Sequence, residues 1–251
     1  MKLDFYYWSY QCPLNQSMLR LLEEYQDKLE IHTHDITGND ILAKQRSMYF
    51  PSLIVLDDRK RYFSPLKRQF LDTVCNGQYP MEHPYLPKLG TKEKTVMIQP
   101  LTNDNLCIAC HCTGDDRLDL CKAKEQFLQS YQSRQKPYGY LNLDREGHLL
   151  GGVEYMPSIF VPYDIPKGER IAFLTCVYCS DEEYDYKSGP LRALENELDN
   201  DYDQMIVISD EHGIFPNGDL AFFLKNGFHD EGILSVEENY CTLHLLSKRI
   251  E

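Results

Sequence analysis

Cys107, Cys110, Cys112 and Cys121 stand in the pattern C-x2-C-x-C-x8-C, with His111 among them. Thiolates are soft ligands, and four of them, or three with an imidazole, can enclose zinc or an iron–sulfur cluster. The spacing is not that of two well-separated C-x2-C knuckles. The same residues also read as small buried hydrophobes or redox-sensitive thiols around a loop and a helix start. A second C-x2-C, Cys176-Val-Tyr-Cys179, lies in an apolar run of strand character. Strand alternation sends its two sulfurs to opposite faces, which disfavours a chelate. Cys12 precedes Pro13, a favoured first helical residue, so its sulfur is expected at a helix N-terminus, where amides and the helix dipole stabilise a thiolate. A different chemistry is suggested between Arg170 and Phe228. There an apolar strand, Ile171-Ala-Phe-Leu-Thr-Cys-Val-Tyr178, meets a short loop, Tyr186-Lys-Ser-Gly-Pro190, and then a helix. Strand, tight loop and helix N-terminus in that order can seat a phosphate group.

The elements that must position these residues fall into two pieces. Three prolines and a glycine in Tyr79-Pro-Met-Glu-His-Pro-Tyr-Leu-Pro-Lys-Leu-Gly90 can form neither a helix interior nor a central strand. The reading is therefore a first domain over 1–78, a Pro-rich linker over 79–94 and a second domain over 95–251. The first piece alternates: strand 3–8, helix 16–25, strand 29–36 with one buried face, helix 39–49, strand 51–56, hairpin partner 61–63 and helix 67–75. The second opens with a strand at 95–99 and a helix over 118–131, with Leu120, Phe127, Leu128 and Tyr131 on one side. A hairpin follows across Asp144-Arg-Glu-Gly147. After it come the strand and loop described above, a helix over 191–198, a strand over 205–208 and a helix closing in Phe223-Leu-Lys-Asn-Gly-Phe228. The fold class is α/β (α+β) in two domains.

Composition bounds what this can be. The chain has 251 residues, 42% of them hydrophobic and 26% charged, as in an ordinary globular protein able to bury a core. No stretch approaches a transmembrane length and the start lacks a signal-peptide run, so a cytoplasmic protein with no membrane partner is expected. Residues 1–90 carry 11 basic and 11 acidic side chains, which leaves 15 basic and 28 acidic beyond them. A surface this acidic repels nucleic-acid phosphates and suits a cationic acceptor such as an amine.

Two resemblances add to this. Cys12-Pro-Leu-Asn15 resembles the glutaredoxin signature, with Asn15 where a second cysteine would stand, and Pro51 matches the cis-proline that faces the cysteine there. Over roughly 78 residues the pattern resembles a thioredoxin-like fold, which implies either monothiol chemistry at Cys12 or a docking module. Over residues 95–248 the chain resembles the GNAT superfamily of N-acetyltransferases. The branch with the greatest likeness is the YoaP-like one, on Asn105-Leu-Cys107, Glu154-Tyr-Met-Pro157 and Cys176. That resemblance implies acetyl-CoA as cofactor and a small-molecule or peptide amine as acceptor. It implies Val177, Tyr178, Tyr186, Lys187, Ser188, Gly189, Leu191 and Phe223 as cofactor-binding residues and Glu154 as the general base. In the family's loop, Gln/Arg-x-x-Gly-x-Gly/Ala, this chain has Asp185, Ser188 and Pro190. Phe223 replaces a tyrosine that serves as general acid in many members. The alternative is a catalytically degenerate scaffold acting as a thiol-redox or metal-sensing binding module through Cys12 and the cysteine cluster. Homo-oligomerisation is left open.

Overall fold

The computed structural model describes residues 1–84, 86, 88–110, 118–131, 137–179, 181–212, 214 and 219–250. The chain divides into two compact units. The first comprises Met1–Pro84, the described part of Arg117–Gln129, and Pro162–Asp164; the second comprises the rest.

The first unit runs β1 (Lys2–Tyr7), α1 (Leu14–Glu23), β2 (Glu30–Asp35), α2 (Asp40–Gln45), β3 (Ser52–Leu56), β4 (Lys60–Tyr62) and α3 (Arg68–Cys75). Its sheet order is β2-β1-β3-β4, with β1 parallel to β2 and antiparallel to β3. The helices form because Met18 and Leu22 on α1, and Leu71 and Val74 on α3, recur at helical spacing and meet Leu3, Phe5, Ile54 and Leu56 of the sheet in one core. β2 itself is exposed to half-buried, but the stretch expected to bury one face does so in part: Leu29 lies in the core and Ile31 packs against it. Asn39 caps α2, its side-chain oxygen accepting the Leu42 N–H at 3.1 Å.

The segment after Cys75 is not bare linker. Tyr62 and Lys60 donate to the Pro80 carbonyl, and Glu82 accepts the N–H groups of Phe63 at 2.9 Å and Ser64 at 2.6 Å. A further helix, α5 (Leu118–Gln129), belongs to this unit although its sequence lies inside the second piece. The Trp8 ring packs edge-on against Phe127 and Tyr163, with centroids 5.9 Å and 5.3 Å away.

The second unit is built on one seven-stranded sheet. Its elements are β5 (Lys92–Glu93), β6 (Met97–Leu101), α4 (Leu106–Cys110), β7 (Gly139–Leu143), β8 (Leu149–Pro157), β9 (Ile171–Cys179), β10 (Tyr184–Asp185), α6 (Ser188–Leu198), β11 (Gln204–Asp210), α7 (Leu220–Lys225), β12 (His229–Glu237) and β13 (Cys241–Arg249). The order is β12-β13-β11-β9-β8-β7-β6. All neighbours are antiparallel except β9 and β11, which are parallel and joined through α6. A parallel pair needs such a crossover, and this helix supplies it. The hairpin between β7 and β8 turns where the sequence placed it: Asp144 accepts the N–H groups of Glu146 and His148, and Gly147 takes φ +90°. Val153, Tyr155, Ala172, Leu174, Val177, Met205 and Val207 form one face of the sheet and pack under Leu191, Leu194 and Leu198 of α6 and Phe222 and Phe223 of α7. The described part of the chain is thus mixed α/β, and none of its helices is long and apolar enough to cross a membrane.

Candidate functional site

β9 and β11 pair through only three residues each, Ile171–Gln204, Ala172–Met205 and Phe173–Ile206. β9 then follows β8 as far as Cys179, while β11 follows β13 as far as Asp210. The two parallel strands part toward their carboxyl ends and leave a wedge at the point where the sheet changes direction. That is where open sheets of this kind receive ligands. One more irregularity lies beside it. Glu154 pairs with Cys176 but Tyr155 pairs with Leu174, so Thr175 is an extra residue on β9. Such a bulge bends the strand and re-aims its main-chain groups.

Alternation then sorts the side chains. Val153 and Val177 face α6 in the core, which puts Gly152, Glu154, Cys176 and Tyr178 on the opposite face. Glu154 is buried, with 3% of its surface exposed, and accepts a hydrogen bond from the Tyr178 hydroxyl at 3.3 Å. Gly152 makes room for this contact, since a Cβ there would lie 2.7 Å from the Tyr178 ring. The phenols of Tyr140 and Tyr155 belong to the α6 face instead. Burial and a hydrogen bond donated to the Glu197 carboxylate push Tyr140 up to about 12, and burial pushes Tyr155 upward as well.

The expected phosphate loop is organised from within. Asp185, with 2% of its surface exposed, accepts the N–H of Lys187 at 2.9 Å and of Ser188 at 3.2 Å on Oδ1, and the Ser188 hydroxyl at 2.6 Å on Oδ2. The helix α6 begins at Ser188 rather than at Leu191, so these are the amides of its N-terminus. Gly189 faces protein: a Cβ on it would lie 2.5 Å from the Thr95 hydroxyl. Tyr186 is buried over Gly151, and its carbonyl accepts from Asn142. Lys187 is buried with its ammonium 4.1 Å from the Phe222 ring centroid. Leu191 and Phe223 lie in the core. Of the expected cofactor residues, the structure brings Val177 and Tyr178 to the wedge strand and gives the others contacts inside the unit. At the end of β11, Asp210 is fully buried and accepts the N–H groups of His212, Ile214 and Thr242. Asp219 caps α7 by accepting the Phe222 N–H at 3.2 Å.

Among the described residues the thiols form no group of three or more potential ligands. Cys107 is exposed and Cys110 buried on α4 in the second unit, Cys121 is buried on α5 in the first, and Cys112 and His111 lie outside the described residues. Among the described residues, the only group of three or more His, Cys, Asp or Glu with ligand atoms within 4.8 Å is the hairpin turn Asp144, Glu146 and His148. Those residues already satisfy the turn. The geometry offers zinc no support at the described cysteines. Cys12 is buried just before Pro13 and α1, and its carbonyl accepts the Asn15 N–H. Asn15, fully buried, donates its side-chain amide to the Ser9 carbonyl at 2.8 Å and the Pro51 carbonyl at 3.2 Å.

Sequence reasoning named Asp185 without its capping role and missed the bulge at Thr175. Asp185 followed three residues later by Ser188 is a helix-cap signal and could have been read as one. The Thr175 bulge left no signal in the residue types.

No protein-family model and no curated protein matches the chain. Solved structures similar to about three fifths of the chain include acetyltransferases. A GNAT-superfamily phosphinothricin acetyltransferase from Sinorhizobium meliloti, in complex with AcCoA, is 12% identical over 62% of this chain and 89% of its own, with a TM-score of 0.44. An N-acetyltransferase from Staphylococcus aureus Mu50 is 12% identical over 63% and 100%, at 0.45. The aminoglycoside 6′-N-acetyltransferase from Enterococcus faecium is 13% identical over 62% and 98%, at 0.42. At TM-scores below 0.5 these likenesses carry neither substrate nor mechanism across.

Proposed function

We propose that the second unit is a GNAT-type N-acetyltransferase, on the YoaP-like pattern of Glu154-Tyr-Met-Pro157 and Cys176, moving an acetyl group from an acetyl thioester to an amine. The observation that carries the reading is the parting of β9 and β11 after Phe173 and Ile206, beside a buried carboxylate on β8. Acetyl-CoA is the donor the resemblance implies, and it supplies an activated acyl carbon. The thioester end fits: β9 runs along the wedge at Val177 and Tyr178, where its main chain can meet a carbonyl oxygen. The pyrophosphate end does not fit the amides of α6, which Asp185 already occupies. The amine nitrogen attacks the acyl carbon, Glu154 accepts the proton it gives up, and the C–S bond breaks to release the thiolate, which takes its proton from solvent; the Tyr178 hydroxyl orients the carboxylate. The acidic composition beyond residue 90 suits an amine that arrives as a cation. The reading implies a cytoplasmic protein.

In the same proposal the first unit is a thioredoxin-like accessory domain. Its sheet order β2-β1-β3-β4 and the position of Cys12 before α1 support this, and Asn15 in place of a second thiol favours docking over dithiol chemistry.

The test is thiol release from acetyl-CoA and from S-acetyl-pantetheine, with a panel of primary amines and the full chain. Release that depends on the amine is expected. Absence of release and of binding for both donors at millimolar concentration would overturn the reading in favour of a scaffold without transfer, which the filled N-terminus of α6 also favours.

A further inference from the structure

We infer that Asp185 stands in for the donor's phosphates, so that this chain takes an acyl thioester of pantetheine type and gains nothing from a pyrophosphate. The inference rests on the acetyltransferase reading and narrows its donor class. The N-terminus of a helix attracts an anion because its first amides lack intrahelical partners and carry partial positive charge. At the start of α6 two of those amides, Lys187 and Ser188, are committed. The Lys187 and Ser188 N–H groups and the Ser188 hydroxyl all donate to one carboxylate, which is buried and brings a full negative charge to the seat. Pro190, in the first turn, has no N–H to offer. The glycine that would let a phosphate approach is used otherwise, since Gly189 packs on Thr95 and Ile98. The neighbouring helix is closed in the same way, by Asp219 on α7. A pyrophosphate would have to displace a buried carboxylate from charge-assisted hydrogen bonds and then lie beside it. The wedge between β9 and β11, by contrast, opens where their pairing ends at Phe173 and Ile206.

Calorimetry on the full chain tests this with three probes: acetyl-CoA, S-acetyl-pantetheine and adenosine 3′,5′-bisphosphate. In the wild type the two thioesters should bind within about threefold of each other and the bisphosphate not at all at millimolar concentration. Asp185→Ala should improve acetyl-CoA affinity about tenfold and leave S-acetyl-pantetheine unchanged, since roughly one charge-assisted contact to the freed amides is regained. Asp185→Asn keeps an oxygen on the same amides without the charge. It should give a smaller gain in the same direction, which preserves the test if the alanine variant fails to fold. A wild-type preference for acetyl-CoA of about thirtyfold or more would overturn the inference and leave the acetyltransferase reading standing. So would an unchanged donor ratio in both variants. If neither thioester binds the wild type, the acetyltransferase reading itself falls, and the donor class with it.

Discussion

At the residue scale the site depends on how two strands meet. Glu154 is poised only because its neighbour two residues earlier has no side chain: Tyr178 lies over Gly152 and reaches the carboxylate at 3.3 Å. Removing the base should therefore cost more than removing its partner. Glu154→Gln is expected to lower kcat by about two to three orders of magnitude without lowering Tm, as loss of a positioned base does. Tyr178→Phe, which leaves the base in place, should cost only a few-fold. Steady-state kinetics beside thermal melts would check both, and near-wild-type kcat in the glutamine variant would remove Glu154 from the mechanism. Gly152→Ala acts through position alone. The new methyl would stand 2.7 Å from the ring, so Tyr178 must swing away and the variant should lose roughly 1–3 kcal/mol to overpacking. Its kcat should fall to the Tyr178→Phe level, and a double variant should be no slower than either single one. A further loss in the double variant would show that the two residues act separately.

At the element scale, much was legible and the failures have physical causes. Helical periodicity found α1, α3 and α5, and apolar runs found β3, β8, β9 and β11, because burial writes itself into residue type. The first turn of α6 was missed, because Ser188-Gly-Pro190 reads as loop unless Asp185 is taken as its cap. The bulge at Thr175 and the early parting of β9 from β11 are properties of main-chain register, to which side-chain type is indifferent. The stretch expected as linker misled for a related reason: prolines exclude regular structure but not packing. Glu82 shows this and supports a prediction. Burial pushes its carboxyl above the usual range, against the N–H groups of Ser64 and Phe63, which favour the charged form. The folded chain therefore holds a proton there at pH values where the unfolded chain has released it. The stability this contributes is complete below the unfolded carboxylate's pKa and is lost as pH rises through the raised one. Glu82→Gln keeps an oxygen for both N–H groups without the charge. It should be more stable than wild type near about pH 7.5, with the difference shrinking toward about pH 4. Urea midpoints followed by Trp8 emission would measure this, and a gap that widened on acidification would contradict the assignment.

At the scale of the whole molecule, sequence order and compact units do not coincide. A division after residue 78 follows composition, yet the unit that begins at Met1 also takes in Tyr79 to Pro84, the described part of Arg117–Gln129 and Pro162–Asp164. The sequence could not show this, because α5 carries an ordinary amphipathic pattern and nothing in such a pattern says which sheet it serves. The consequence is measurable through the chain's single tryptophan. Trp8 is 1% exposed, and two of the rings against it, Phe127 and Tyr163, come from the late segments. A fragment spanning 1–84 retains the core of Leu3, Phe5, Leu22, Ile54 and Leu71, so it should still fold. It loses both edge-on partners, each worth about 0.5–1.5 kcal/mol beyond the area it buries. Relative to the full chain, its Trp8 emission should shift to the red and its urea midpoint should fall. A fragment that matched the full chain in both emission and midpoint would mean that the first unit is complete at Pro84 and that α5 contributes nothing to it. The expected red shift would instead establish a unit assembled from three stretches of chain, one that no single cut in the sequence can release intact.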